Sequence, residues 1–445
     1  MKIRWIGAPL LACLCTALTS QTALNAPESV KDPDRQLRLD DLVRLALERS
    51  PDAASAEHTI RAMEHRISQA RALPDPMVSA GWAGKIAPFD TMAGDASSYR
   101  GITVSEQFPY PGKRRLQGAM AERDVETARV DCETAQRRIV LDVKTAYAEY
   151  FYLDKAIEAT RQNKELLEKL ASIAEAQYRV GRAMQQDVLR AQVEVSMLIE
   201  KLTQLEEQRD SAMAEVNTAL VQQPETPLPP PQPLEAQPIR YSLDELYTLA
   251  EKNDTGIRRD QAVIERNRLN VTLAERQYRP DIGVSYMFQQ RTNQPDMNGV
   301  TVSVNVPIFW KSKQREAIAE ASETLHSTQK MQKSQQNAVR SEVRRRYLSA
   351  ESSQRLLTLY SKGIVPQSSL ALESAMSEYQ VGKVDFLSLL SNFTTLLNYE
   401  TSYYRQLADH QIAVAQLESL TGEPITTDTN TNDPTQSANQ KGPRP

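Results

Sequence analysis

Histidines are the first residues to question, because imidazole is both the commonest metal ligand and a proton carrier near neutral pH. The 445 residues contain four of them, His58, His65, His326 and His410. His58 and His65 stand seven apart and can share one helix face, yet no cysteine or carboxylate constellation completes a metal site around them. All four read as surface or packing residues. Of the three cysteines, Cys13 and Cys15 lie near the N-terminus, which leaves Cys132 in a charged helical stretch. An inert packed thiol is expected there, and no disulfide framework is possible. No clustered methionine motif, glycine-rich phosphate loop or Gly-x-Ser-x-Gly elbow is found. The expectation is a protein that is not an enzyme and holds no metal or cofactor. A net charge of -4 with no basic face also argues against a nucleic-acid partner. The runs Lys113-Arg114-Arg115 and Arg344-Arg345-Arg346 are short enough to be solvated helix surface.

The N-terminus reads as an address. Lys2 and Arg4 precede an apolar stretch from Trp5 to Leu18, followed by small and polar residues to Ala26. That stretch is too short to span a bilayer, so residues 1–26 are expected to be a signal peptide. Leu10-Leu11-Ala12-Cys13 loosely matches a lipoprotein cleavage box, so lipidation of Cys13 stands open beside ordinary cleavage. No other segment is apolar over 18 residues. Any membrane contact must therefore use strands.

The chain is a tandem repeat. Leu39-Asp40-Asp41-Leu42 returns as Leu243-Asp244-Glu245-Leu246, and Pro74-Asp75 returns as Pro280-Asp281. Gly101-Ile-Thr-Val-Ser-Glu-Gln-Phe-Pro109 returns as Gly299-Val-Thr-Val-Ser-Val-Asn-Val-Pro307, and Tyr178-Arg-Val-Gly181-Arg182 as Tyr379-Gln-Val-Gly382-Lys383. Self-similarity in constant order marks two copies of one structural unit. The first copy occupies 27–223 and the second 239–424. Between them, 224–238 carries seven prolines and reads as an extended linker. Residues 425–445 are rich in Thr, Asn and Gln and are expected to be a disordered tail.

Each copy runs through an opening helical stretch (39–73 and 243–278), two strands, a very long helix, a tight glycine turn and a return helix. Strands are expected at 77–88, 99–109, 281–291 and 298–309. Val300, Val302, Val304, Val306 and Ile308 alternate with Thr301, Ser303 and Asn305, which gives one apolar and one wet face. Glu106 falls on the apolar face of its strand, where it fits only near a rim. Long helices are expected at 112–180, 183–222, 312–381 and 384–421. From Gly112 to Val180 no proline interrupts, and such a helix is about 100 Å long. Its apolar seam runs through Ile139, Val143, Ala146, Tyr150, Leu153 and Ile157, then Leu167, Ala171, Ala174 and Tyr178, a coiled-coil spacing. A second seam through Val140, Tyr147, Phe151, Leu166 and Ile173 implies neighbours on two sides.

Four strands cannot close a barrel, and open edges in a bilayer leave backbone groups unpaired at several kcal/mol each. Copies must share one pore if these strands span a membrane, and three copies would supply twelve strands. The fold class expected is mainly α with a transmembrane β portion.

With Pro74-Asp75-Pro76, Phe108-Pro109-Tyr110-Pro111-Gly112-Lys113 and the two Tyr-x-Val-Gly turns in place, the chain resembles the TolC family of outer-membrane efflux proteins over nearly its whole mature length. The resemblance implies a homotrimer with a 12-stranded β-barrel in the outer membrane, continuous with a long periplasmic α-helical barrel. It implies docking to a periplasmic adaptor and an inner-membrane pump, and the Pro-x-Pro-Gly-Lys run is similar to members serving heavy-metal pumps of the resistance-nodulation-division class. The glycine turns would form the periplasmic tip, with Tyr178, Gly181, Arg182, Asp187, Tyr379, Gly382, Lys383, Asp385 and Ser388 at the aperture or adaptor contact. Ser388 stands where some relatives carry acidic residues, so Asp385 either substitutes for them or serves only as a helix N-terminal charge. A periplasmic coiled-coil adaptor is the alternative reading, although the lipoyl-like β domains of an adaptor are missing.

Overall fold

A computed structural model describes residues 37–85 and 91–426. The signal peptide with Cys13, the far end of the first expected strand and nearly all of the C-terminal tail lie outside those residues. The first repeat comprises α1 (Leu39–Arg49), α2 (Pro51–Arg71), β1 (Met77–Ala83), β2 (Tyr99–Phe108), α3 (Lys113–Arg179) and α4 (Gln185–Ala219). The second comprises α5 (Leu243–Asn253), α6 (Thr255–Arg276), β3 (Asp281–Gln290), β4 (Met297–Asn305), α7 (Gln314–Leu359), α8 (Val365–Gln380) and α9 (Phe386–Thr421). A π-helical turn, Tyr360–Ile364, joins α7 to α8.

Several boundaries differ from expectation, each for a local reason. Each opening stretch is two helices, broken at Ser50 and Asp254, whose side chains accept from Ala53 N (3.3 Å) and Ile257 N (2.9 Å). N-capping of this kind starts a new helix, and in the first copy Pro51 fits its first position. β4 ends at Asn305 rather than 309, because Pro307 has no N–H to donate to a ladder. The helix expected at 312–381 is interrupted by the π turn just before Pro366, a residue that cannot donate in a helix interior. The tail begins later than expected: Ile425 is fully buried and its carbonyl accepts from Arg240 N at 3.0 Å.

The four strands form one antiparallel sheet in sequence order, β1-β2-β3-β4. Register places Val78, Val104, Tyr286 and Val300 in one row across it, and Phe108, Ile282 and Val304 in another. These side chains share one face and are largely exposed. The opposite face carries Ser79, Thr103, Ser285, Thr301 and Ser303. Glu106 pairs with Val284 on the apolar face, two residues from the end of β2. No described helix is long and apolar enough to cross a membrane.

The core lies in the helical stem and ties the repeats together. Val143, Tyr150, Leu153 and Ile157 of α3 pack with Leu205, Ala212 and Val216 of α4. Phe151 of α3 meets Leu357 of α7 and Leu407 of α9. Both seams of α3 are thus used, and between them they meet helices of both repeats. Burying each such side chain contributes about 1.5–3 kcal/mol. The linker lies along α3, where Tyr147 donates to Leu37 O at 2.9 Å and Gln232 O at 3.3 Å. His410 is fully buried on α9, with its ring nitrogens 3.1 Å from Ala350 O and 3.0 Å from Gln237 O.

Candidate functional site

At the end of the stem farthest from the sheet, the two glycine turns come together. Each follows the same backbone logic. Gly181 (φ 73°) and Gly382 (φ 75°) lie in the left-handed region, which glycine enters without the Cβ clash. Gly181 N donates to Tyr178 O (2.9 Å) and Arg182 N to Gln177 O (2.8 Å), while Gly382 N donates to Tyr379 O (3.1 Å) and Lys383 N to Glu378 O (2.9 Å). This paired pattern closes the C-terminus of a helix by satisfying its last carbonyls.

Both return helices begin with a carboxylate cap, by two different routes. Asp385 is the N-cap of α9 and accepts from Ser388 N at 3.0 Å. Ser388 holds the Asp385 carboxyl below the usual carboxylate range through its hydroxyl and its N–H. In the first repeat Asp187 sits one turn inside α4 and reaches back to Met184 N at 3.2 Å. Both acids therefore have a structural task at a helix N-terminus.

The turns face one another across a groove of about 780 Å³. Gly181, Arg182 and Asp187 line it from the first repeat, and Tyr379, Gly382, Lys383 and Asp385 from the second. Gln177 Nε2 bridges the turns by donating to Gln380 O at 3.2 Å. Tyr178 and Ser388 do not line the groove. Arg182 and Lys383 are exposed, so two cations and two carboxylates line this groove.

The two tyrosines of the repeated turn motif have different surroundings. Tyr178 is 44% exposed, whereas Tyr379 is 7% exposed and packs edge-on against Phe386 at 5.6 Å. Phe386 opens α9 at the position where Gln185 opens α4. An aromatic ring there gives Tyr379 something to bury against. Burial pushes the Tyr379 hydroxyl pKa up, with the nearby charge of Asp187 adding to the shift, and its oxygen has no hydrogen-bond partner among the described residues. Phe386 was not among the expected site residues; the signal was the loss of the Gln–Phe match between otherwise parallel turns. Below it, Leu389, Leu390, Phe393 and Leu397 of α9 pack with Leu167, Leu170 and Ala174 of α3. Among the described residues, no group of three metal-ligating side chains is found.

At the other end of the stem, Lys113 opens α3 immediately after the Pro-Tyr-Pro-Gly corner. Its ammonium is 2.8 Å from Asp281 Oδ1 and donates to Arg279 O at 3.0 Å. Asp281 also accepts from Tyr110 N at 2.7 Å. The lysine of the Pro-Gly-Lys run therefore fastens the first repeat's strand-to-helix corner to the second repeat's Pro-Asp corner.

A narrow sheet with one apolar face, raised on a stem of about 100 Å, defines a membrane duct component whose far end is the paired-turn tip. The chain belongs to the outer membrane efflux protein family, whose pattern matches residues 42–221 and 246–423. It is thus an outer-membrane efflux channel protein, extending from that membrane into the periplasm. Solved structures share the fold. VceC from Vibrio cholerae superposes with a TM-score of 0.73 at 17% identity, over 87% of this chain and 96% of that one. The MtrE outer membrane channel of Neisseria gonorrhoeae gives 0.71 at 17% identity, over 88% and 91%. CusC gives 0.74 at 12% identity, over 87% and 92%. No curated protein matches the chain.

Proposed function

We propose that three copies of this chain close a 12-stranded barrel in the outer membrane and conduct substrates passively outward from a periplasmic adaptor and an inner-membrane pump, a pump of the resistance-nodulation-division class being the best fit. The observation carrying this reading is the sheet itself: β1 and β4 each have one unpaired edge, and the outward face is apolar. An edge in hydrocarbon costs several kcal/mol per unpaired backbone group, and closure with neighbouring copies removes it. Phe309 and Trp310, exposed just beyond β4, suit the membrane–water boundary, where amphipathic rings settle.

The chain supplies no energy source in this reading and acts as a conduit rather than a catalyst. The paired-turn tip is its closed end, with Arg182, Lys383, Asp187 and Asp385 at the aperture or adaptor contact. Lys113 is engaged in joining the repeats, so the reading commits to no cargo. Outer-membrane extracts should contain a heat-modifiable trimer, and planar bilayers should record a small conductance for it. Charge reversal at Arg182 or Asp187 should change that conductance. Unchanged conductance in both variants would remove the gate from this position, and a soluble monomer would remove the channel reading altogether.

A further inference from the structure

The helices nearest the sheet pack as a row in the order α2, α3, α6, α7. α3 recurs at a 200-residue spacing as α7, so that Ala121 and Val143 return as Ala321 and Val343. α2 recurs at a 204-residue spacing as α6, so that Ser50 and Ala53 return as Asp254 and Ile257. Burial follows the pairing: Ala121 and Ala321 are both 4% exposed, and Ala53 and Ile257 both 7%. The middle junction, α3 on α6, joins the first repeat to the second. Its duplicate sets α7 on α2, and these helices are the two ends of the row. In a closed ring of three copies the duplicate therefore forms where α7 of one copy meets α2 of the next.

The uncovered faces agree with this. Val130 (5% exposed) and Ala262 (4%) are covered at the middle junction, whereas their counterparts Lys330 and His58 are exposed. Register across that junction is set by Arg266–Asp124 at 2.7 Å and Arg259–Asp131 at 2.9 Å. The counterparts, Ala62 with Thr324 and Ser55 with Met331, are uncharged, so the junction between copies lacks both ion pairs. Beside the two pairs runs a groove of about 720 Å³, lined by Arg123, Glu126 and Val130 of α3 and by Gln261, Ala262 and Glu265 of α6. Between copies the same positions carry Glu323, His326 and Lys330 on α7 and Glu57, His58 and Arg61 on α2. All six are exposed in the single chain.

We propose that each junction between copies holds a divalent transition-metal ion of zinc type, bound by His58 of one copy and by Glu323 and His326 of the next. Two neutral imidazoles and one carboxylate form a zinc donor set, with the fourth position left to water. Glu323-Thr-Leu-His326 has the spacing that sets a carboxylate and an imidazole on one helix face, as in metal-bearing helical bundles. His58 faces them from the other helix, in place of an alanine that donates nothing. Glu57 is engaged by Arg61 at 3.6 Å. The long stem of Lys330 lets its ammonium turn out to water. His65 stands two turns, about 10 Å, further along α2 and takes no part. Neither half-site is complete by itself, and no set of three donors occurs among the described residues of one chain. The ion is a fastener in the wall, at the junction that has lost its ion pairs. This inference rests on the three-copy closure proposed above.

The test is titration of the purified, untagged, chelator-treated channel with zinc, followed by calorimetry and by the heat-modification temperature on gels. The unmodified trimer should take up three ions, and its subunits should separate at a higher temperature with zinc than with chelator. His58→Ala and His326→Ala should each weaken binding at least tenfold, since a lost ligand costs more than a lost supporting group. Each should also abolish the temperature difference, whereas His65→Ala should change neither quantity. Trimers mixed from His58→Ala and His326→Ala chains contain one junction with both imidazoles intact, and each should bind one ion. A trimer that takes up no zinc, uptake that survives both substitutions, or mixed trimers that bind none each overturns the site. A chain that never forms a trimer shows separately and overturns the closure itself.

Discussion

Lys113 of the first repeat and Asp281 of the second meet at 2.8 Å, at the level where the sheet gives way to the helical stem. The lysine side chain is only 11% exposed, and Asp281 additionally receives the Tyr110 N–H, so one carboxylate takes two bonds from the first repeat's strand-to-helix corner. The pair therefore differs from the exposed ion pairs along the stem, such as Arg259–Asp131 at 2.9 Å, which are expected to contribute about 0–1 kcal/mol. Removing one member leaves the other poorly solvated. Asp281→Ala should lower the stability of the assembled channel by about 2–4 kcal/mol, read as a lower heat-modification temperature on gels. Arg259→Ala should leave that temperature unchanged within error, and an equal drop in both variants would show that the corner is nothing special.

The two faces of β4 make a sharper pair of variants, because neighbouring residues point in opposite directions. Val302 is 64% exposed on the apolar face, in register with Val284, while Thr301 pairs with Ser285 on the polar face. Val302→Arg should cost about 2–4 kcal/mol of membrane insertion, since a guanidinium near the middle of the bilayer cannot be solvated. Thr301→Arg should insert normally and alter ion selectivity instead. Outer-membrane yield and reversal potential measure the two. Exchanged outcomes would mean that the sheet is inside out.

Much of this arrangement was legible in the residues, for identifiable reasons. The strands show because alternation has a period of two and the two faces meet different solvents; the tip shows because a left-handed residue at a tight helical turn calls for glycine, and Gly181 and Gly382 recur with their flanks. What stayed hidden depends on neighbours or on a single-residue shift. The buried state of Tyr379 comes from Phe386 on the next helix. The π turn is visible in sequence only as a change of spacing from 200 to 201, which motif matching at the turns alone does not reveal. Ile425 looks like the start of a polar tail, yet it fills a gap beside Leu246, Val343 and Leu417. Composition predicts poorly where one apolar residue in a polar run finds a pocket.

The linker is held by a buried hydroxyl, and this gives it a pH dependence. Tyr147 is 1% exposed and donates to carbonyls of Leu37 and of Gln232 in the linker. Burial pushes its pKa up to about 12 from the usual 10.0, although the hydrogen bond to Gln232 pulls the other way. A group whose folded pKa is raised stabilises the fold in its protonated form. Its contribution is fully present below pH 10 and is lost as pH rises through 12. Limited proteolysis within 224–238 should therefore be slow up to about pH 10 and accelerate above it. Tyr147→Phe leaves two carbonyls without this donor, which should cost about 1–3 kcal/mol and make cleavage fast at neutral pH. Cleavage that ignores both pH and the substitution would mean that the linker is held by its apolar contacts through Leu228 and Leu234 instead.

At the tip, Tyr379 and Phe386 share one ring contact, but the tyrosine hydroxyl makes their substitutions diverge. Phe386 is 2% exposed, and truncation to alanine opens a cavity beside Leu389 and Leu390, at a cost of about 3–5 kcal/mol. Tyr379 carries a buried hydroxyl with no partner in the single chain. Such a group costs about 1–3 kcal/mol to leave unsatisfied, so Tyr379→Phe should be neutral or stabilising if the chain alone sets its surroundings. Thermal unfolding of the purified channel decides this, with conductance as the second readout. If Tyr379→Phe instead lowers stability and raises conductance together, the hydroxyl has a hydrogen-bond partner across the aperture in a neighbouring copy. In that event, phenylalanine at the matching Tyr178, which is 44% exposed and outside the groove, should change neither quantity.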